Sequence, residues 1–265
     1  MEAALPDFDT IVDRYSRRVF NLAFRITGSR QDAEDVVQDT FLQVFRGMAD
    51  FRGESDPYTW IYRIAVNASL KVKRKLGTEA SIDELEEKIE ALRGDVPDEV
   101  RSWAEDPAQA AYMQALLSEI NQGCLHFMTF RLTDEQRVVY VMRAILDFTY
   151  QEIAAVLEVP ESVVKSRLHR AHAKLEKYFQ GRCQWRDPDH ASCSCTSRVG
   201  FALAVDPEIL RRVRMQALKT ENDAVFLGYM ARQVEDISEL YRRLPNLEYK
   251  AATVKAYIAE LARKN

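Results

Sequence analysis

Long apolar runs are absent from this sequence. None approaches the ~18 residues that span a bilayer, and no signal-peptide pattern opens the chain. A cytoplasmic protein with no membrane segment is therefore expected. Apolar–polar alternation is scarce as well. Nearly every apolar run has helical spacing, so an all-α fold is expected. Glycine is sparse, at 9 of 265 residues, and lone glycines sit near helix ends, so no glycine-rich loop is available to cradle phosphate. No nucleophile–base constellation is visible, and an enzyme is not expected. Net charge is only −4, which on its face argues against a nucleic-acid partner.

That charge is unevenly spread. Residues 78–108 carry eleven acids against Lys88, Arg93 and Arg101, so this segment is −8 and the remainder is +4. Local patches must decide the partner. The acidic segment itself has no place in a packed core at that charge density and reads as a flexible tether in which 81–93 could form a short acidic helix. The length suits two or three small domains, and an apolar fraction of 47% is ordinary for a chain with a sizeable core.

The richest stretch runs from Leu132 to Phe179. Thr133 to Gln136 and Thr149 to Glu152 both fit the capping-box pattern, in which a hydroxyl and the third residue reciprocally satisfy backbone N–H groups. Val138, Val141, Met142 and Ile145 follow the first at helical spacing. Ile153, Ala154, Val156 and Leu157 follow the second, and Pro160 breaks the pattern. A third helix is expected from about Ser162, with Val164, Leu168, Ala171 and Leu175 inward. Lys165, Ser166, Arg167, His169 and Arg170 are left on the other side. A short helix, a tight turn and a basic helix read as a helix-turn-helix whose second helix enters the major groove. The alternative is a basic solvated face on an ordinary helical hairpin.

Two helices are expected before it, Pro6 to Ile26 ended by Gly28, and a second capped by Ser29 and stopped at Gly47. The second shows acids and amides outward: Asp35, Gln38, Asp39 and Gln43. These are either a solvated face or a docking surface. Residues 51–57 form a loop by composition. A long helix from Tyr58 to Leu76 then carries Tyr58, Trp60 and Tyr62, followed by Arg63, Asn67, Lys71, Lys73, Arg74 and Lys75, with no acid. Aromatics interleaved with cations suit stacking on unpaired bases and holding phosphates, although Trp60, Ile64 and Ala68 repeat every four residues and some of these rings must be core.

Three stretches carry a family resemblance: residues 32–41 (Asp32 to Phe41), Phe51-Arg52-Gly53, and residues 58–67 (Tyr58 to Asn67). They resemble the first conserved domain of bacterial extracytoplasmic-function (ECF) sigma factors. Residues 150–154 with 164–168 resemble the second. The resemblance covers roughly residues 7–180. It implies a non-enzymatic subunit that directs core RNA polymerase to promoter DNA. It divides the chain into 1–77, an acidic linker 78–108, a helix-turn-helix domain 109–180, and an extension 181–265. Asp35, Gln38 and Phe41 would dock on core polymerase. Phe51, Trp60, Arg63, Asn67 and Lys71 would read and melt the −10 element, and Lys165, Ser166, Arg167, His169 and Arg170 would read the −35 element. Glu158 stands where the turn usually has glycine, and His172 replaces a common arginine. A free-standing helix-turn-helix regulator with a structural zinc is the rival reading; it leaves the aromatic-basic helix unexplained.

The extension holds Cys183, His190, Cys193 and Cys195 within thirteen positions. Clustered cysteines in a cytosolic protein are more often ligands or redox groups than structural disulfides. The four side chains could bind one zinc or copper ion tetrahedrally. A thiol redox switch and incidental cysteines are the alternatives. Cys124 reads as a small buried hydrophobe. Three helices are expected beyond: one from Asp206-Pro207-Glu208, one from about Glu221 to Leu244, and one from Tyr249 to Ala262. They form either an appended bundle or a regulatory domain acting in cis, with a separate anti-sigma factor as a further candidate partner.

Overall fold

The computed structural model describes residues 5–53, 56–75, 82–217 and 233–264. Two compact units are present, and each is assembled from separated pieces of the chain. The first combines residues 1–77, 132–171 and 245–265; the second combines 78–131 and 172–244. All named elements among the described residues are helical, as the sequence predicts, with one isolated bridge between Cys183 and Cys193. None of the described helices is long and apolar enough to cross a membrane.

The first unit starts with α1 (Phe8–Thr27), whose first turn is capped by Asp7 accepting from Thr10 N at 3.0 Å. Gly28 ends it at φ 85, a left-handed conformation that glycine adopts without steric cost. Ser29 caps α2 (Arg30–Gly47), accepting from Asp32 N at 3.2 Å. A loop then leads to α3 (Pro57–Lys75). The three helices bury Val12, Val19, Phe20, Val37, Phe41, Ile61 and Ala65 in one core. The same core takes in α7 (Asp134–Tyr140), α8 (Tyr150–Leu157) and the first part of α9 (Glu161–Phe179), through Val138, Ile153, Val156 and Val164. Both capping boxes form as expected. Residues Val141–Ile145 are a π-helical turn rather than a continuation of α7. In the turn before α9, Glu158 is left-handed at φ 54, which explains why glycine is the easier residue there.

The last helix of the chain, here α13 (Ala251–Lys264), also belongs to this unit and places Val254 and Ile258 in its core. The segment leading into it is fastened to α1. Asn21 donates to Leu247 O at 2.9 Å and accepts from Leu247 N at 2.7 Å. Arg25 donates to Pro245 O at 2.9 Å, and the Tyr249 ring stacks on Phe20 at 4.9 Å.

In the second unit, the short acidic helix expected over 81–93 forms, and the acidic segment is folded rather than a tether. It forms α4 (Ile82–Ala91) and α5 (Asp98–Glu105), and α5 packs on α6 (Ala110–Met128). Charge density suggested a tether, but the charges are one-sided. Val100 and Trp103, three apart, face a core with Leu116 and Ile120, while Asp98, Glu99 and Glu105 are exposed. Glu86 is half-buried, and it accepts from the Tyr178 hydroxyl at 2.9 Å and pairs with Arg131. The extension adds α10 (Val199–Val205), α11 (Ile209–Ala217) and α12 (Ile237–Arg242). The sequence reading missed α10. The helix expected from about Glu221 lies outside the described residues up to 232.

Candidate nucleic-acid interface

On α3, Trp60, Arg63, Asn67 and Lys71 are spaced by three, four and four residues, which puts them on one face. Asn67 and Lys71 are exposed and Trp60 and Arg63 half-buried. Phe51 joins this face by packing on Trp60 at 5.0 Å. Arg63 has intramolecular partners: it donates to Ala155 O at 3.0 Å and pairs with Glu158 at 3.0 Å.

Tyr58 and Tyr62 are not part of this face; they are among the rings expected to be core. Tyr62 is fully buried. The Arg18 guanidinium lies 5.5 Å from the Tyr58 ring, 6.0 Å from Tyr62 and 5.3 Å from Phe148; Arg18 is exposed, and its cation caps these rings. Burial pushes the Tyr58 phenol up to about 12, so it stays neutral at all working pH values.

Along α9, Lys165, Ser166, His169 and Arg170 are exposed. Lys165 pairs with Glu161 at 3.3 Å and lies 5.3 Å from the Tyr150 ring. Arg167 is half-buried and pairs with Glu135 at 2.9 Å. Val164, Ala171 and Leu175 are buried, so helical periodicity placed Lys165, Ser166, His169 and Arg170 outward, whereas Arg167, expected outward, is turned half inward against Glu135.

The α2 face is more mixed than expected. Asp35 is exposed and Gln38 half-buried, but Phe41 is wholly buried and cannot touch a partner in this arrangement. The apolar group that does reach the surface is Phe45, 44% exposed, with Phe8 edge-on at 5.2 Å. The sequence carried the signal: Asp35, Gln38, Leu42 and Phe45 follow a stripe of three, four and three, whereas Phe41 falls beside it.

The chain matches the family models Sigma-70 region 2 over residues 11–78 and Sigma-70, region 4 over residues 123–175. It is 30% identical to the ECF RNA polymerase sigma-E factor of Haemophilus influenzae, covering 65% of this chain and 87% of that one. It is 29% identical to the RNA polymerase sigma-H factor of Pseudomonas aeruginosa, over 65% and 86% of the two chains. The ECF RNA polymerase sigma factor SigE of Mycolicibacterium smegmatis is 34% identical over 67% of this chain and 63% of that one.

The chain belongs to the ECF sigma factors. It directs core RNA polymerase to promoter DNA. Within this sigma factor, the first matched region forms α1 to α3, and the second contains the helix-turn-helix of α8 and α9. Cys183, His190, Cys193 and Cys195 lie beyond both matches.

His190 of this sigma factor does not join the cysteines. Its ring is 78% exposed, and Nδ1 lies 3.0 Å from Asp187 Oδ1. The hydrogen bond to Asp187, and then its charge, raise the His190 pKa above the ordinary value, while Asp187 is lowered. A raised histidine favours its charged form when folded. Its contribution is therefore complete below the unfolded pKa of about 6.5 and is lost as pH rises through the folded value. An NMR titration should place the His190 midpoint above ~6.5, and Asp187→Asn should return it there. A midpoint at the ordinary value in the unaltered protein would contradict this pairing.

Proposed function

We propose that promoter recognition is divided between two basic faces of the first unit. The α3 face, Trp60, Arg63, Asn67 and Lys71 with Phe51, serves the −10 element. The α9 face, Lys165, Ser166, Arg167, His169 and Arg170, serves the −35 element. The α2 stripe of Asp35, Gln38 and Phe45 docks on core polymerase, with Phe41 supporting it from the core. The protein acts in the cytoplasm as an initiation factor, not an enzyme. The observation that carries this reading is the exposure of Asn67, Lys71, Ser166, His169 and Arg170 on helix faces whose opposite sides are buried.

In vitro transcription with core polymerase tests it. Replacing Lys165 and Arg170 together with alanine should abolish −35-dependent transcription, at roughly 1–3 kcal/mol per lost base contact, while core binding is retained. Loss of core binding instead would remove the assignment of α9.

We further propose that the extension acts in cis, restraining α1 and α2. The fastening of residues 245–249 to α1, the packing of α13 on α1 and α2, and the ion pair of Lys255 with Asp13 at 2.7 Å support this. Lys255→Glu sets an acid against Asp9 and Asp13. Core binding should strengthen in that variant; unchanged or weaker binding would assign these contacts to stability alone.

A further inference from the structure

Every cysteine of the chain lines one small cavity in the second unit. Cys124 comes from α6, Cys183 from just beyond α9, and Cys193 and Cys195 from the segment before α10. We infer that Cys124, Cys183, Cys193 and Cys195 form a single zinc site of four thiolates, without His190. The inference deepens the reading of the extension as regulatory, yet it is decided by metal binding alone, so its failure would leave the promoter assignments standing.

The cavity holds about 20 Å³, room for one water-sized particle or one ion. Its backbone is fixed on both sides. Cys183 and Cys193 face each other across the isolated bridge, with Gln184 N donating to Cys193 O at 3.2 Å and Cys193 N to Arg182 O at 2.8 Å. The chain then turns back after Cys183, as Arg186 N and Asp187 N donate to Cys183 O at 3.0 and 2.8 Å. Two loops are thereby held against one helix, each presenting sulfur.

Donors already point at the sulfurs. Arg198 Nε lies 3.0 Å from Cys193 Sγ, and Trp185 Nε1 lies 3.2 Å from Cys195 Sγ. A thiol is a weak acceptor and a thiolate a strong one, so an indole and a guanidinium aimed at sulfur suit the ionised state. Around Zn²⁺, four thiolates leave a net charge of −2, which Arg198 partly offsets; such outer contacts orient and tune metal ligands. Without a cation, burial raises the pKa of Cys183 to about 11 and also raises those of Cys124 and Cys195. Binding then converts four thiols and one Zn²⁺ into a tetrathiolate centre and releases four protons to solvent. Thiolates select zinc over hard cations. Among the described residues no three potential ligands are already grouped to hold a metal ion, so the inferred site requires the four thiols to turn onto the ion as it enters.

The test uses the full chain purified under reducing conditions. We expect one zinc per chain by elemental analysis, four thiols shielded from a thiol reagent until a chelator is added, and an intense sulfur-to-metal charge-transfer band on cobalt substitution. Cys124→Ser should weaken zinc binding by more than the ~10–100-fold that outer-shell changes cost, and as much as Cys193→Ser does. His190→Ala should leave affinity and cobalt spectrum unchanged. Zinc loss in His190→Ala, or full affinity in Cys124→Ser, would overturn the site. So would a chain that takes up no zinc and carries its cysteines as disulfides, or one that binds copper(I) but not zinc. If Cys124→Ser fails to fold, the shielded-thiol count of the unaltered zinc form decides: four supports the inference and three overturns it.

Discussion

Arg137→Ala should destabilise the first unit by about 4 kcal/mol, enough to unfold a typical domain partly at working temperature. Arg137 is only 2% exposed. Its guanidinium donates to Ile26 O and Leu132 O, each at 3.4 Å, and lies 3.9 Å from Asp134. Ile26 is in the last turn of α1, where carbonyls have no partner within the helix. Alanine would leave buried acceptors unmet, at about 1–3 kcal/mol, and would add a cavity that costs ~2–5 kcal/mol in comparable large-to-small changes. These terms overlap, because relaxation that fills the cavity can also re-pair a carbonyl. Urea unfolding followed by helical signal measures the loss. A variant with the unaltered midpoint would mean that Arg137 is a passenger in this core.

Gly200→Ala should destabilise the second unit by at least about 2 kcal/mol, although alanine ordinarily gains up to ~1 kcal/mol over glycine inside a helix. A Cβ built at Gly200 would lie 2.5 Å from Asp95 O and 2.6 Å from Leu92 O. Both are backbone atoms, so relief requires moving the turn between α4 and α5 rather than rotating a side chain. Gly123 on α6 supplies the internal control, since a Cβ there meets nothing within 4 Å. Gly123→Ala should stabilise by about 0.5–1 kcal/mol. Thermal unfolding of both variants checks the pair, and the same sign for both would refute the steric argument.

The elements governed by local chemistry were legible in the sequence. The two capping boxes at Thr133 and Thr149, the stop at Gly28 and the cap at Ser29 all form as read. Each depends on residues within four positions of one another. Most of the basic face of α9 was equally legible, because Val164, Ala171 and Leu175 fix its orientation by periodicity; Arg167, half-buried against Glu135, is the exception. What could not be read depends on pairing at long sequence range. Which rings of α3 are core was left open by the sequence, because nothing near Tyr58 and Tyr62 reveals that Arg18 and Phe148 pack against them. Cys124 lies 59 positions before Cys183, so only the folded chain shows that it lines the same cavity. In the acidic segment α4 was expected and α5 was not, because a count of charges carries no direction, and the direction of Val100 and Trp103 is what packs α5.

The discontinuity of the first unit has a consequence for how the protein is made. Its pieces are residues 1–77, 132–171 and 245–265. A chain leaves the ribosome from its N-terminus and folds segment by segment. The α1–α3 cluster can form early, but Phe20 gains its Tyr249 partner, and Asn21 its Leu247 partner, only after residues 247–249 have emerged. Until residues 245–258 arrive, the apolar side of α1 that meets Tyr249 and Val254 has no cover from this part of the chain.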